Sequence, residues 1–328
     1  MDVYIWIVTL CVSFASIETL SCKREGKCKI SRIHSMKAAD CHGKDMTQFT
    51  QCLGKDIEVV DLSFNRIRKL AKEDLTKYSN LKILYLNDNS IAAIDKQAFE
   101  GSDYLQTLDL SLNSLTKIPP VLFQLPSLQS LYLGQNLNMN IVDVVEKAKP
   151  IKSPLFHLDI SYVMTEEPGE LPDLGFMPTL EKYNISGNKL ISMTTKHFAG
   201  LCSLKFLDTT NVSIEYEEDG CGCWTINRWL ISRKVNFKPF VCHRKEAECL
   251  QDVPIDDFKV YEKCIGELKE ELRKSKMKTI LLIVVPIGAA VILAIVAYFF
   301  VRRRRKLKKK QKADPTQEIM LNNAVKKA

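Results

Sequence analysis

The chain has 328 residues, enough for two domains of average size, and a formal net charge of +8. A basic chain ordinarily raises the question of nucleic-acid binding. Here residues 302–328 carry eleven basic and two acidic residues directly after a long apolar segment, while residues 22–278 carry 36 basic and 35 acidic residues. The excess charge belongs to one short tail beside a membrane, so we expect no nucleic-acid partner.

The first 21 residues predict a secretory signal peptide. Residues 3–17 form an apolar run, and the small residues Thr19 and Ser21 follow where a signal peptidase would cut. The start carries Asp2 and lacks the usual Lys or Arg, so an uncleaved signal anchor is the alternative. Ten of the eleven cysteines follow this segment and none lies in the tail, as expected for an exported region with disulfides.

A repeat with a period of about 24 residues occupies residues 57–214. Copies start at residues 57, 81, 105, 128, 155, 180 and 204, with apolar residues at positions 1, 4, 6 and 11 and Asn at position 9. The fifth copy, where Val163 replaces the Asn, and the seventh are degenerate. The fourth copy is 27 residues long, and its irregular stretch 139–150 predicts a bulge or a short helix. A further apolar residue, eighteen places after the start, supports the register: Leu75, Phe99, Phe123 and Phe198.

These residue types suit a stacked structure. Positions 4 and 6 point inward from a short strand, because alternate strand side chains share a face. An Asn amide satisfies backbone donors and acceptors at the bend that follows. The pattern resembles the leucine-rich-repeat family. That resemblance implies an α/β solenoid with a parallel concave sheet and an irregular or helical convex side.

The resemblance also implies a cysteine-rich cap at each end, over residues 22–56 and 215–265. The family bonds a C-x-C pair to two downstream cysteines, so we expect Cys242 to be one partner. The other pairings and the role of Cys202 stay open. A zinc site at the C-x-C is the alternative, but we expect no metal and no cofactor. The disulfide candidates are Cys22, Cys28, Cys41, Cys52, Cys221, Cys223, Cys242, Cys249 and Cys264.

One transmembrane helix is predicted at residues 279–301, which contain no charge and span roughly 35 Å as a helix. Residues 302–312 hold nine Lys or Arg, against five in the fifteen residues before the span. The more basic flank stays in the cytoplasm, which predicts a type I protein of the plasma membrane with an extracellular N-terminus.

Short segments flank this span. A juxtamembrane stalk is predicted at 266–278. Apolar residues recur at helical spacing over residues 258–272, which indicates a spacer helix or, alternatively, a self-associating stalk, so an oligomer through the stalk or the span is a further expectation. The cytoplasmic tail, 302–328, serves topology and also suits anionic inner-leaflet lipid. The residues concerned are Arg302, Arg303, Arg304, Arg305, Lys306, Lys308, Lys309 and Lys310.

The concave face is the expected ligand site. Position 5 of the repeats reads as an acidic and aromatic stripe, and aromatic side chains anchor protein interfaces. The alternative is that these Asp residues belong to the common repeat spelling and that His157 is a solvated strand residue. The candidates are Asp61, Phe64, Tyr85, Asp109, Tyr132, His157, Asp159 and Tyr162.

Two glycosylation acceptors, at Asn184 and Asn211, fall on or beside the last two concave strands. If both carry sugar, ligand binding is expected on repeats one to five. No catalytic constellation is present in the sequence, so we expect no enzyme.

Three functions fit the sequence. The first is cell-surface recognition, as an adhesion molecule or co-receptor that binds an extracellular or membrane protein. The second is an auxiliary subunit of an ion channel, because the arrangement resembles the γ-type subunits of large-conductance potassium channels. The third is an innate-immune receptor that resembles the Toll family but lacks its signalling domain.

Overall fold

The structure, a computed structural model, describes residues 28–214, 221–242, 245–249 and 252–312, with side chains to residue 309. The predicted signal peptide, Cys22, the side chain of Lys310 and residues 313–328 lie outside the described residues. The chain divides into two compact units between Gly266 and Glu267.

The first unit is built on a ten-stranded sheet whose strands are parallel except for the first pair. Each of the seven repeats contributes one three-residue strand to it, including the degenerate fifth and seventh repeats. Two small parallel sheets lie outside it. The strands are Lys29–Ile33 (β1), Met36–Asp40 (β2), Val59–Asp61 (β3), Lys69–Leu70 (β4), Ile83–Tyr85 (β5), Ala93–Ile94 (β6), Thr107–Asp109 (β7), Ser130–Tyr132 (β8), His157–Asp159 (β9), Lys182–Asn184 (β10), Lys189–Leu190 (β11), Phe206–Asp208 (β12), Ser213–Ile214 (β13) and Asn236–Phe237 (β14). The predicted α/β solenoid with a parallel concave sheet is confirmed.

Repeat positions 4 and 6 form the core, as their spacing predicts. In the third repeat Leu108 and Leu110 have no exposed surface, whereas Asp109 between them is only half-buried on the opposite face. Phe99 and Phe123, eighteen places after their repeat starts, are also buried and pack in the same continuous core. Burying these rows against neighbouring repeats stabilises an array that no single repeat could maintain.

A ladder of buried Asn side chains follows the strands. The Oδ1 atom of Asn113 accepts from the backbone N–H of Ile91 at 2.9 Å. Its Nδ2 donates to the carbonyls of Leu86 and Leu110 at 3.0 Å each. One side chain thus joins two repeats at a bend where the backbone has no strand partner. The same arrangement recurs at Asn65, Asn89, Asn136 and Asn188.

The convex side carries short helices. They are α1 (Glu73–Thr76), α2 (Ile141–Ala148), α3 (Lys196–Ala199) and a 3₁₀ turn at Pro120–Gln124. Helix α2 occupies the irregular stretch of the 27-residue repeat. Its N-cap is Asn140, whose Oδ1 accepts from the N–H of Asp143 at 3.1 Å.

The C-terminal end of the solenoid is closed by α4 (Gly222–Ser232), β14 and the beginning of α5 (Ile255–Thr279). Arg233, just after α4, is largely buried and donates to the carbonyls of Phe198 and Leu201. Its guanidinium lies 5.0 Å from the ring of Trp229 and 4.4 Å from that of Tyr261. Burial lowers the pKa of Arg233, but two aromatic faces and two carbonyls compensate the charge.

The second unit contains the end of α5, a π-helical turn at Ile280–Val284, and α6 (Val285–Lys312). Pro286 follows the π turn directly. It has no N–H to donate, and a π turn is one way in which a helix accommodates such a residue. Among the described residues, this helical run contains one segment long and apolar enough to cross a membrane.

Candidate functional site

Position 5 of the repeats forms one row across the concave face, because the strands pair in register. Asp61 pairs with Tyr85, which pairs with Asp109, and the row continues across the sheet. All members are half-buried, so each presents part of its side chain on the open face. The row is Asp61, Tyr85, Asp109, Tyr132, Asp159, Asn184 and Asp208.

The Asp residues in this row also stabilise the turns after their strands. Oδ1 of Asp109 accepts from the N–H of Ser111 at 2.9 Å and from its hydroxyl at 2.6 Å. Asp61 and Ser63 repeat this arrangement. Asp159 accepts from the N–H of Ser161 and from Nδ2 of Asn184. The common repeat spelling therefore has a structural cause. It also places Ser63 in the turn, where it is buried.

His157 and Tyr132 form a pair at the centre of the face. The hydroxyl of Tyr132 lies 3.1 Å from Nδ1 of His157, and their rings meet edge to face at 4.7 Å. Burial lowers the pKa of His157, despite the opposing charge of Asp159, and burial also raises the pKa of Tyr132. Both groups are thus held neutral near pH 7. The pair offers an aromatic and hydrogen-bonding surface.

Position 8 adopts the left-handed conformation in every repeat, a region that favours Gly and Asn over other residues. Three of these positions nevertheless carry large apolar side chains that are exposed: Phe64 at 51%, Leu112 at 41% and Tyr162 at 37%. The residues of this row are Phe64, Asp88, Leu112, Gln135, Tyr162, Gly187 and Asn211, with φ between 52° and 69°. A row of apolar groups thus borders the Asp and Tyr row.

Several exposed residues of this face were not among the eight ligand candidates. Phe156 and Phe206 are 38% and 42% exposed, on and beside the last strands, and Leu112 belongs to the apolar row. The ammonium group of Lys182 lies 5.7 Å from the ring of Phe156. Their positions 2, 3 and 8 in the repeat were a sufficient signal to find them.

The two glycosylation acceptors differ in their surroundings. The Oδ1 atom of Asn184 accepts from the N–H of Ser186, and its Nδ2 donates to Asp159, each at 3.0 Å. This amide occupies the turn-stabilising place that Asp takes in other repeats. Asn211 is exposed in a turn, with a φ of 56°.

Disulfides hold both caps. Cys28 is bonded to Cys41 at the N-terminal end, and Cys52 is also disulfide-bonded. At the C-terminal end three bonds assign the pairings that the sequence left open, including the partner of Cys202, which was not among the candidates. They are Cys223–Cys242, Cys221–Cys249 and Cys202–Cys264. Among the described residues, no group of three or more His, Cys, Asp or Glu side chains is placed to hold a metal ion.

Residues 302–309 of the basic run are exposed on α6. The helix thus carries Arg302–Arg305, Lys306, Lys308 and Lys309 directly beyond the apolar segment. Arg304 lies 5.0 Å from the ring of Phe300.

Comparison with known proteins identifies the repeat. Residues 79–137 match a family model described as "Leucine rich repeat". The chain is 30% identical over 161 residues to Tsukushi of Gallus gallus, covering 48% of this chain and 43% of that protein. It is 39% identical over 108 residues to Toll-like receptor 2 type-2 of Gallus gallus, covering 29% and 14%. The chain spans less than half the length of these relatives.

The mouse RP105/MD-1 complex is a similar solved structure, with a TM-score of 0.47 and 18% sequence identity, over 54% of this chain and 29% of that one. The parallel strand ladder, the buried Asn side chains and the repeated spacing of apolar residues define a leucine-rich-repeat solenoid. The chain contains a leucine-rich-repeat solenoid with disulfide-bonded caps and, among the described residues, one apolar helix of membrane-spanning length.

Proposed function

We propose that this chain is a cell-surface recognition protein, an adhesion molecule or co-receptor, that binds an extracellular or membrane protein through its concave face. One observation carries the proposal: large apolar side chains are exposed on and beside that face, at Phe64, Leu112, Tyr162 and Phe156. Exposed aromatic residues that cluster on one surface favour a protein interface.

The proposed location is the plasma membrane, in a type I orientation. The apolar span at 279–301 is followed by the strongly basic run 302–312, and the more basic flank stays in the cytoplasm. The disulfide-bonded solenoid then lies in the oxidising compartment, where its bonds persist. One relative, Toll-like receptor 2, is a receptor by name, which supports a role in recognition.

The test uses the full chain on intact cells with proximity labelling of its neighbours. Replacing Tyr85 and Tyr132 by Ser is expected to remove a specific set of labelled proteins, because both rings lie in the central row. Replacing Lys205 and Phe206 by Ser, near the glycosylation acceptors, is the matched control and is expected to retain that set. If the Tyr85 and Tyr132 variant labels the same proteins as the native chain at equal surface expression, the proposal is contradicted.

A second candidate function is that of an ion-channel auxiliary subunit. It is favoured by α6, which joins the apolar segment and the basic run in one helix. Replacing residues 279–312 by an unrelated span with a neutral tail separates the two functions. Recognition is expected to persist in that chimera, whereas channel modulation would be lost.

The basic run also suits anionic inner-leaflet lipid, at about 1 kcal/mol per basic residue near the surface. Vesicles with and without phosphatidylserine test this with the full chain and its Arg302→Gln, Arg303→Gln, Arg304→Gln, Arg305→Gln variant. Equal lipid preference for both forms would exclude a lipid role for these arginines.

A further inference from the structure

Over repeats 1 to 5, the residue pattern of the concave face recurs every two turns of the solenoid. Repeats 1, 3 and 5 read Asp-Leu-Ser-Phe, Asp-Leu-Ser-Leu and Asp-Ile-Ser-Tyr at positions 5 to 8, ending at Phe64, Leu112 and Tyr162. Repeats 2 and 4 read Tyr-Leu-Asn-Asp and Tyr-Leu-Gly-Gln, ending at Asp88 and Gln135. Odd repeats therefore present an acid and an apolar group, and even repeats present an aromatic and a polar group.

The apolar members of this pattern stay exposed although both their conformation and their contact with water are unfavourable. A left-handed φ disfavours large side chains. The exposed parts of Phe64 and Leu112 also contribute no hydrophobic stabilisation, because they remain in contact with water. The Tyr162 ring occupies space that is open only because residue 187 is a glycine: a Cβ on Gly187 would lie 2.3 Å from the ring. These side chains are available to a partner that covers them.

Two of the three acidic members are available in the same way, while Oδ2 of Asp159 accepts from Nδ2 of Asn184 at 3.0 Å. Oδ2 of Asp61 and Oδ2 of Asp109 have no hydrogen-bond or ion-pair partner among the described residues, since only Oδ1 serves the turn. The carboxylate of Glu58, at position 2, is not available in this way, because it forms an ion pair with Lys82 at 2.6 Å. Burial raises the pKa of Asp109, and the charges of Asp159 and Asp61 raise it further. A cation placed along this row would relieve that repulsion.

The spacing limits the shape of such a partner. Neighbouring strands lie about 4.8 Å apart, so acids on alternate strands repeat at roughly 9.6 Å. A polyproline II chain advances about 9.3 Å in three residues, on one face, whereas an α-helix advances about 10.5 Å in seven. An extended strand turns its side chain to the opposite face after three residues.

We propose that the concave face of repeats 1 to 5 binds a linear, proline-rich segment of a partner protein that carries Lys or Arg at every third residue. The cations bind Asp61, Asp109 and Asp159, and the intervening residues cover Tyr85, Tyr132 and the apolar row. This inference rests on the proposed function and specifies its partner by charge and spacing.

The probe is a labelled peptide of six Pro-Pro-Lys units, titrated by fluorescence anisotropy against the full chain in lipid nanodiscs. Three peptides serve as comparisons: one with the same composition and clustered lysines, one with Glu for Lys, and one helical peptide with Lys at every seventh residue. The first probe is expected to bind at least about tenfold more tightly than each comparison, and binding should weaken with salt. A comparison peptide that binds as tightly would overturn the proposal.

The protein variant replaces Asp61, Asp109 and Asp159 by Asn. Asn184 shows that an Asn in this row still stabilises the turn. Each replacement also creates an Asn-x-Ser glycosylation acceptor, so Ser63, Ser111 and Ser161 are changed to Ala in the same chain, and a chain with only these alanines is measured beside it. The three exchanged charges are expected to weaken probe binding about tenfold or more.

A matched control removes three carboxylates elsewhere, with Glu166→Gln, Glu167→Gln and Glu170→Gln beside α2. This control is expected to stay within twofold of the native chain, and an equal loss would overturn the proposal. The outcome is separable from the proposed function. If the Tyr85 and Tyr132 variant loses its cellular neighbours while the Asp variant keeps its affinity for the probe, recognition stands and the linear basic partner is wrong.

Discussion

The third repeat and the fifth repeat differ at one residue of the Asn ladder. In the third, Asn113 bonds to the backbone of its own turn and of the preceding turn. In the fifth, Val163 is fully buried in the same place and makes no such bonds. The segment that the missing amide would hold departs from the regular path and forms α2. A cavity of about 620 Å³ lies beside it, lined by residues 138–142 and 163–170.

The concave strands do not share this irregularity. Leu131 and Leu158 stay paired in register across the fourth and fifth repeats, and both are buried. Positions 4 and 6 thus specify the strand, while position 9 specifies whether the chain follows a regular turn afterwards. With this division, the convex side can vary without disturbing the concave strands.

Replacing Asn by Val at position 9 has the largest expected effect on the free energy of unfolding. Asn113→Val leaves the buried N–H of Ile91 without its acceptor and removes two donated bonds, so the free energy of unfolding should fall by about 3 kcal/mol. Thermal and chemical denaturation of the disulfide-intact protein measures it. A loss below about 1 kcal/mol would show that the ladder is not what holds the regular turns.

The reverse exchange, Val163→Asn, is expected to lower the free energy of unfolding by about 1–2 kcal/mol. Its amide would find carbonyls on one side only, because the neighbouring segment has already left the regular path. The change also creates an Asn-x-Thr acceptor, so the protein is produced without N-glycosylation. A more stable variant would mean that the irregular turn is not built into the surrounding chain.

The sixth repeat regains its Asn but has Tyr183 at position 4, where regular repeats have Leu or Val. The hydroxyl of Tyr183 is buried with no hydrogen-bond partner among the described residues, and burial raises its pKa strongly. Tyr183→Phe is expected to raise the free energy of unfolding by about 1 kcal/mol. Comparing the denaturation midpoints of the native protein and the variant tests this. A less stable variant would mean that the hydroxyl makes a hydrogen bond after all.

The smallest effect concerns pH in the third repeat. Because burial raises the pKa of Asp109, its ionised form is less favourable in the folded than in the unfolded chain. Its contribution to stability therefore falls as pH rises from about 4 through the raised pKa. Asp109→Asn with Ser111→Ala should remove this slope relative to Ser111→Ala alone, in melting curves between pH 4 and 7. Parallel curves would show that the carboxyl is better solvated than its position indicates.

The sequence predicts the regular part of this molecule well, for a physical reason. Buried positions of a solenoid face identical surroundings in each turn, so the same residue type recurs, as at Leu108 and Leu131. The sequence shows that Val163 replaces the Asn of position 9. It does not show how residues 139–150 pack as a result, because that stretch does not follow the repeat. The pairing of Cys202 with Cys264 joins residues 62 apart in sequence and follows only from the folded cap.

The sequence predicts which residues lie in one row on the concave face, but it does not predict what that row binds. Tyr85, Tyr132 and the Asp residues were identified from position 5, and their place in one row follows from strand register. That Ser63 and Ser111 occupy the Asp Oδ1 atoms, leaving the second oxygens open, depends on turn geometry. Whether these eight candidate residues bind a ligand stays a prediction.

The Cys202–Cys264 bond has a mechanical consequence. A pull applied between the repeats and the helix beyond Cys264 passes through this covalent link to Cys202, at the end of the sixth repeat. The intervening residues 203–263, with Trp229, Arg233 and the other two C-terminal disulfides, lie outside the path of the tension. The cap can therefore close the core without bearing load.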